Sequence, residues 1–186
     1  VDALEADGKG DALRKEAKLR ELVKLHPNDF RPRTWLGEHL LRMGRMKEAV
    51  EVLDDAVARA SDQPLPYNGL GYALAFEGRF DDAVRALERY VSLLPGESNP
   101  HDSLGEVLLL AGRPSEAERA YRRSLELSPQ FTASWAGLGH ARLFAGDTEG
   151  ARDAYREMAA RAGEGPDRTN ALLWMAMTKA WAGKFD

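Results

Sequence analysis

The apolar positions of this chain follow a helical period. In the stretch from residue 64 to 97, Tyr67, Leu70 and Leu74 lie at i, i+3 and i+7. Glu77-Gly78-Arg79 then interrupts the pattern, and Ala83, Leu87, Tyr90 and Val91 resume it. Such a stretch predicts two antiparallel helices of about a dozen residues each, joined by a short turn. No window sustains period-two alternation, so no sheet is expected.

The same stretch recurs. Leu36-Gly37, Leu70-Gly71, Leu104-Gly105 and Leu138-Gly139 are spaced 34 residues apart. Seven residues after each of these glycines stands another: Gly44, Gly78, Gly112 and Gly146. Twelve after comes Ala49, Ala83, Ala117 or Ala151, and sixteen after comes Leu53, Leu87, Tyr121 or Tyr155. Pro95 and Pro129 close two of the units. Four registers that agree at several offsets define a repeat array. A glycine inside a helix costs roughly 1 kcal/mol relative to alanine. Four at one phase need a compensating gain, expected here from close helix pairing, in which the glycine and the small alanine twelve residues on let the two backbones pack tightly. Gly69-x-Gly71 and Gly137-x-Gly139 fall inside predicted helices, follow no strand and lack a third glycine, which argues against a phosphate loop.

These residues resemble the tetratricopeptide repeat family, whose unit reads W-x-x-L-G-x-x-Y, then A, then F or Y, then A, then P over 34 residues. Trp135, Leu138, Gly139, Ala151 and Tyr155 match it in one unit, and Tyr67, Leu70, Gly71, Ala83, Leu87 and Pro95 in another. The resemblance implies an all-α, right-handed α-solenoid of antiparallel helix pairs. It places repeats at 30–63, 64–97, 98–131 and 132–165. A partial repeat covers 1–29, with its second helix at about 11–25, and the first helix of a truncated fifth repeat covers 166–186. Arg33 and His101 stand where the family carries its first aromatic residue, Arg142 stands in place of a Tyr or Leu, and Gly163 in place of the closing proline. Each departure is expected to loosen one layer without threatening the fold.

Composition narrows the function. Net charge is −4, so the basic surface typical of nucleic-acid binding is missing. The longest apolar run without glycine, 171–177, falls short of the roughly 20 residues a membrane span needs. There is no cysteine, which removes disulfides, thiolate metal sites and thiol nucleophiles. Arginine outnumbers lysine 19 to 7 and alanine is abundant, as in a GC-rich bacterial genome. No charged stretch leads into an apolar run at the N-terminus, so no signal peptide is expected in this chain. The cytoplasm is the favoured compartment, with the periplasm open if a leader preceding Val1 has been removed.

In the resembled family the first helix of each repeat lines a concave face that binds partners. Carried over by repeat position, the candidate groove comprises Asn68, Tyr72 and Phe76, then Asp102, Glu106, Leu109 and Leu110, then His140, Leu143 and Phe144, and finally Leu173, Met177 and Trp181. Arg31, Glu38 and Arg42 make the N-terminal part charged, whereas the C-terminal part is apolar and aromatic. An exposed apolar surface rimmed by polar groups binds partners, here an extended peptide or an amphipathic helix. Packing between neighbouring first helices is the competing role for Phe76, Leu110 and Phe144. A variant of the family that clamps a C-terminal carboxylate needs lysines and asparagines that the registers Glu38, Tyr72, Glu106, His140 and Trp35, Gly69, Ser103, Gly137 do not supply.

Catalysis has no support in the sequence. His101-Asp102-Ser103 holds triad residue types, but adjacent helical residues point in different directions, and His101 is expected to fill the aromatic slot. His26, His39, His101 and His140 form no i, i+4 metal pair. Arg113, Arg119, Arg122 and Arg123 interleave with Glu116, Glu118 and Glu126, the pattern of an ion-paired solvent face. The expected function is an interaction scaffold with no catalytic residue, metal or cofactor. The alternatives are a regulatory or substrate-docking region of a larger bacterial enzyme or signalling protein, and self-association into a homo-oligomer through the C-terminal helix. That helix carries Trp174, Met175, Met177 and Trp181 and is expected to need a second molecule to cover it.

Overall fold

In a computed structural model, the backbone is described for residues 2–182 and the side chains for residues 10–179. The described residues form ten α-helices and no strand. The chain divides into two compact units between Leu93 and Leu94. The first holds α1 (Asp2–Leu25), α2 (Phe30–Arg42), α3 (Met46–Arg59), α4 (Pro64–Phe76) and α5 (Phe80–Leu93). The second holds α6 (Ser98–Leu110), α7 (Pro114–Leu127), α8 (Thr132–Phe144), α9 (Thr148–Arg161) and α10 (Pro166–Ala182). In each unit consecutive helices pack as pairs, and first helices also touch, α2 on α4 and α6 on α8. Helix α1 is longer than the stretch of about 11–25 that the apolar spacing marks.

Two sets of glycines build each pair. Gly44, Gly78, Gly112 and Gly146 end the first helices with φ between 72° and 85°. At Gly112 the next residue closes the turn, with the Arg113 N–H donating to the Leu108 carbonyl at 2.9 Å. This is the left-handed helix cap for which glycine is favoured. The mid-helix glycines serve packing instead. A β-carbon on Gly37 would sit 2.4 Å from the Leu53 side chain, one on Gly71 2.5 Å from Leu87, and one on Gly139 2.2 Å from the Tyr155 ring. The residue that needs the glycine is therefore the large one sixteen positions on, not the alanine twelve positions on. Ala49, Ala83, Ala117 and Ala151 are fully buried in their own right. Tyr121 wedges between two glycines: an added β-carbon would be 2.9 Å from its ring at Gly105 and 2.2 Å at Gly137. Leu53 is likewise bounded by Gly37 and Gly69, the second at 3.2 Å.

Three of the departures from the repeat pattern, Arg33, His101 and Arg142, make polar contacts of their own. At the first-aromatic register, Tyr67 Oη donates to the Ser61 carbonyl at 3.2 Å and Trp135 Nε1 to the Pro129 carbonyl at 2.9 Å. Arg33 makes the same kind of bond from Nη1 to the Asp29 carbonyl at 3.1 Å, and its Nε pairs with Asp55. His101 hydrogen-bonds the Pro95 backbone. The slot selects a donor that ties the helix to the preceding loop, and Tyr, Trp, Arg and His all supply one. Arg142 links three helices, donating from Nε to Glu118 at 3.1 Å and from Nη1 to the Gly150 carbonyl at 2.9 Å.

Several carboxylates of the first unit are met by guanidinium groups, although burial raises Asp54 above the ordinary carboxylate range. Glu16 accepts from Arg20 at 2.8 Å and from Arg45 at 2.7 Å, while Glu48 accepts from Arg45 at 2.5 Å and from Arg20 at 3.2 Å. This closed ring of four charges fastens α1 to α3. The arginine–glutamate face of α7 is ion-paired as its spacing predicts, for example Arg113–Glu116 at 2.6 Å and Arg122–Glu118 at 2.8 Å.

Candidate functional site

A cleft of about 410 Å³ opens between α6 and α8. Asp102, Glu106, Leu109 and Leu110 of α6 form one wall, and Ala133, Ala136, Gly137, His140 and Phe144 of α8 form the other. Tyr121 of α7 is its buried floor. The helical period produces these walls, because residues three and four apart share a face. Ala133 and Ala136 leave the space between the helices open, and the large apolar groups stand at the rim. Phe144 is 75% exposed and Leu110 49%, a high exposure for side chains of this size in a chain with an otherwise apolar interior.

Asp102 is the polar centre of the cleft. Its Oδ1 accepts from the Ser134 hydroxyl at 2.6 Å, and the Ser134 and Ser124 hydroxyls lie 2.7 Å apart. Both serines are fully buried. Burial pushes the Asp102 carboxyl above the ordinary carboxylate range, opposed by the Ser134 hydrogen bond and reinforced by the negative charge of Glu106. On the far wall, burial holds the His140 ring below the ordinary histidine range. The ring meets Trp174 edge-on at 4.7 Å and Tyr155 at 5.7 Å, and Trp174 lies 5.4 Å from Tyr155. Burial pushes the Tyr155 hydroxyl up to about 12. Trp174 is thus half-covered from within its own chain, while Leu172, Leu173 and Met177 of the same helix are exposed.

The structure gathers six of the sequence-derived groove residues, Asp102, Glu106, Leu109, Leu110, His140 and Phe144, around this one cleft. Leu143 is half-buried outside it. In the first unit Tyr72 and Phe76 stack along α4 with centroids 6.3 Å apart, and the Asn68 amide oxygen is buried beside them on the same helix. Leu173 and Met177 are exposed on α10 together with Leu172, and the Trp181 side chain lies outside the described residues. Sequence reasoning missed Ser124 and Ser134. Their signal was present in the repeat itself, where Ser134 replaces the proline found at Pro32, Pro66 and Pro100.

Among the described residues, no group of three or more His, Asp or Glu side chains is placed to hold a metal ion, and no helix is long and apolar enough to cross a membrane.

Comparison with known proteins agrees with this architecture. The chain superposes on the crystal structure of TTC0263, a thermophilic TPR protein in Thermus thermophilus, with a TM-score of 0.75 at 19% identity over 95% of both chains. MamA aligns with a TM-score of 0.70 at 22% identity over 84% of this chain and 86% of MamA. YrrB, a TPR protein with an unusual peptide-binding site, aligns with a TM-score of 0.65 at 18% identity over 89% of this chain and 84% of YrrB. At these identities the likeness establishes the fold alone. No curated protein matches the chain. Tetratricopeptide repeat models match residues 3–64, 68–130 and 108–173, and the chain belongs to the tetratricopeptide repeat family.

Proposed function

We propose that the chain is a protein-interaction scaffold whose α6–α8 cleft receives a peptide or helical segment of a partner protein. Members of this family are generally non-enzymatic scaffolds, and YrrB, which shares the fold, is a TPR protein with a peptide-binding site. The observation behind this reading is the pairing of an open cleft with exposed large apolar groups at its rim, Leu110 and Phe144. Bare apolar surface of this kind is costly in water and is favourable only when a partner buries it. Its volume lies toward the low end of the roughly 300–1,000 Å³ typical of ligand pockets. That size suits a few side chains of a docked segment. Peptides selected from a displayed random library should bind the wild type and lose about tenfold or more in affinity on Phe144→Ala with Leu110→Ala, as buried apolar anchors do. Full affinity in a folded double variant, checked by circular dichroism, removes the cleft as the binding site.

A further inference from the structure

One departure from the chain's own repeat pattern, Ser134, meets two residues at variable registers, Ser124 and Asp102, beside the cleft. The third helical position is Pro32 in α2, Pro66 in α4 and Pro100 in α6, but Ser134 in α8. The register of Ser124 is held elsewhere by Ala56, Tyr90 and Met158, and that of Asp102 by Thr34, Asn68 and Ala136. The other repeats therefore form their helices without serine at either place. Where the serines do occur, they hydrogen-bond in a chain that ends on Asp102. The Ser134 hydroxyl donates its hydrogen bond to the carboxylate, so in the contact between the two hydroxyls Ser124 is the donor. Both donors point toward the charge they stabilise.

That charge faces a cleft with no basic lining. Its remaining walls are Glu106, leucine, alanine, glycine, Tyr121, Phe144 and a His140 ring that burial keeps toward neutrality. A carboxylate held in a largely apolar site is a poor structural choice unless a positive group joins it. Elsewhere in the chain arginines fill that role: Arg33 pairs with Asp55, and Arg20 and Arg45 pair with Glu16. At Asp102 the neighbours are a serine and a second acid. The cleft is thus complementary to an apolar segment that brings its own cation.

Resting on the reading of this cleft as a polypeptide site, we propose that it selects a lysine or arginine side chain of the docked segment, with Asp102 as the specificity-determining residue. Ser134 and Ser124 are positioning residues that fix the carboxylate. Glu106, one turn along α6, adds a second negative charge, and Leu110 and Phe144 cover the apolar residues beside the cation.

The test uses the whole chain and a displayed random dodecamer library. Selected peptides are measured by fluorescence anisotropy, each beside a version with norleucine in place of its basic residue. The peptides are expected to carry Lys or Arg next to apolar residues. Norleucine replacement and Asp102→Asn should each weaken binding about tenfold or more, and the two losses should not add, since they remove one interaction. The amide oxygen introduced by Asp102→Asn would still accept the Ser134 hydrogen bond, so the fold is kept. Rising salt should weaken the basic peptides and leave the norleucine versions unmoved. Peptides without a basic residue, or peptides indifferent to Asp102→Asn yet weakened by Phe144→Ala, overturn the cation assignment and leave the cleft standing. Peptides indifferent to both variants, or no binder at all, overturn the cleft reading and this inference with it.

Discussion

The α2–α4 pair of the first unit and the α6–α8 pair of the second occupy the same register of one repeat, yet they are finished differently. At the register of Ala133 and Ala136 in α8, α4 carries Leu65 and Asn68, and at that of His140 it carries Tyr72. Tyr72 stacks on Phe76 along its own helix, and Phe76, at the register of Phe144, is exposed as well. Small side chains on α8 leave a cleft against α6 with Phe144 bare at the rim. The paired carboxylates differ from Asp102, although Asp54 of the first unit is also pushed up by burial. In the first unit, hydrogen bonds from Arg20 and Arg45 hold Glu16 below the ordinary carboxylate range, and Arg59 and Arg33 do the same for Asp55. In the cleft, burial pushes Asp102 up. Glu16, met by Arg45, joins two helices, whereas Asp102 has a serine and a second acid beside it and is the group proposed above for recognition.

The largest expected effect tests the shared frame beneath both pairs. Gly139→Val should destabilise by about 3 kcal/mol or more, because its β-carbon meets the rigid, buried Tyr155 ring at 2.2 Å. Gly37→Ala meets Leu53 at 2.4 Å, and combining it with Leu53→Ala should recover part of its cost, since the truncated side chain clears the space. Urea denaturation measures both. Equal stability of Gly139→Val and wild type would break the packing account.

A smaller effect sharpens the contrast in charge. The folded pKa of Asp102 lies above its unfolded value, so its ionisation opposes folding, and stability falls as pH rises through this window. Asp102→Asn should therefore raise Tm at pH 7 by roughly 2–4 °C, with no gain at pH 3, where both states are protonated. A Tm lowered at both values would mark Asp102 as structural. Glu16 has the opposite sign. Its folded pKa is depressed below the ordinary value of 4.5, so its contribution is complete above that pH and is lost as pH falls through the folded value. Glu16→Gln should lower Tm by about 1–2 °C at pH 7, and the difference from wild type should vanish on acidification. A gap that persists at low pH would assign the effect to packing instead of charge.

Much of the fold was legible because a glycine and a large residue sixteen positions on must meet wherever two short helices fold back on each other. Which side chain faces each glycine was not legible, since offset alone does not say which one meets the opposite backbone. Arg33 and His101 read as departures because family resemblance compares side-chain type, whereas their register holds a donor that reaches the preceding loop. Arg142 stands at a register of buried leucines, Leu40, Leu74 and Leu108, and reaches Glu118 and the Gly150 carbonyl instead. The candidate cleft was half legible. Repeat position named six of its residues, but Ser124 and Ser134 look like ordinary helix residues until their hydroxyls are seen ending on Asp102.

The sequence by itself determined the helix pairs, their period, their turns and the balance of charge, because these depend on spacing within a few residues. Tertiary structure decided which first-helix side chains meet and which stay bare. Asp102 and Ser134 are 32 residues apart, and their 2.6 Å contact exists only because α8 docks on α6 at one depth and rotation. That docking is set by the volume of Tyr121 between Gly105 and Gly137, a property of packed surfaces and not of any local pattern.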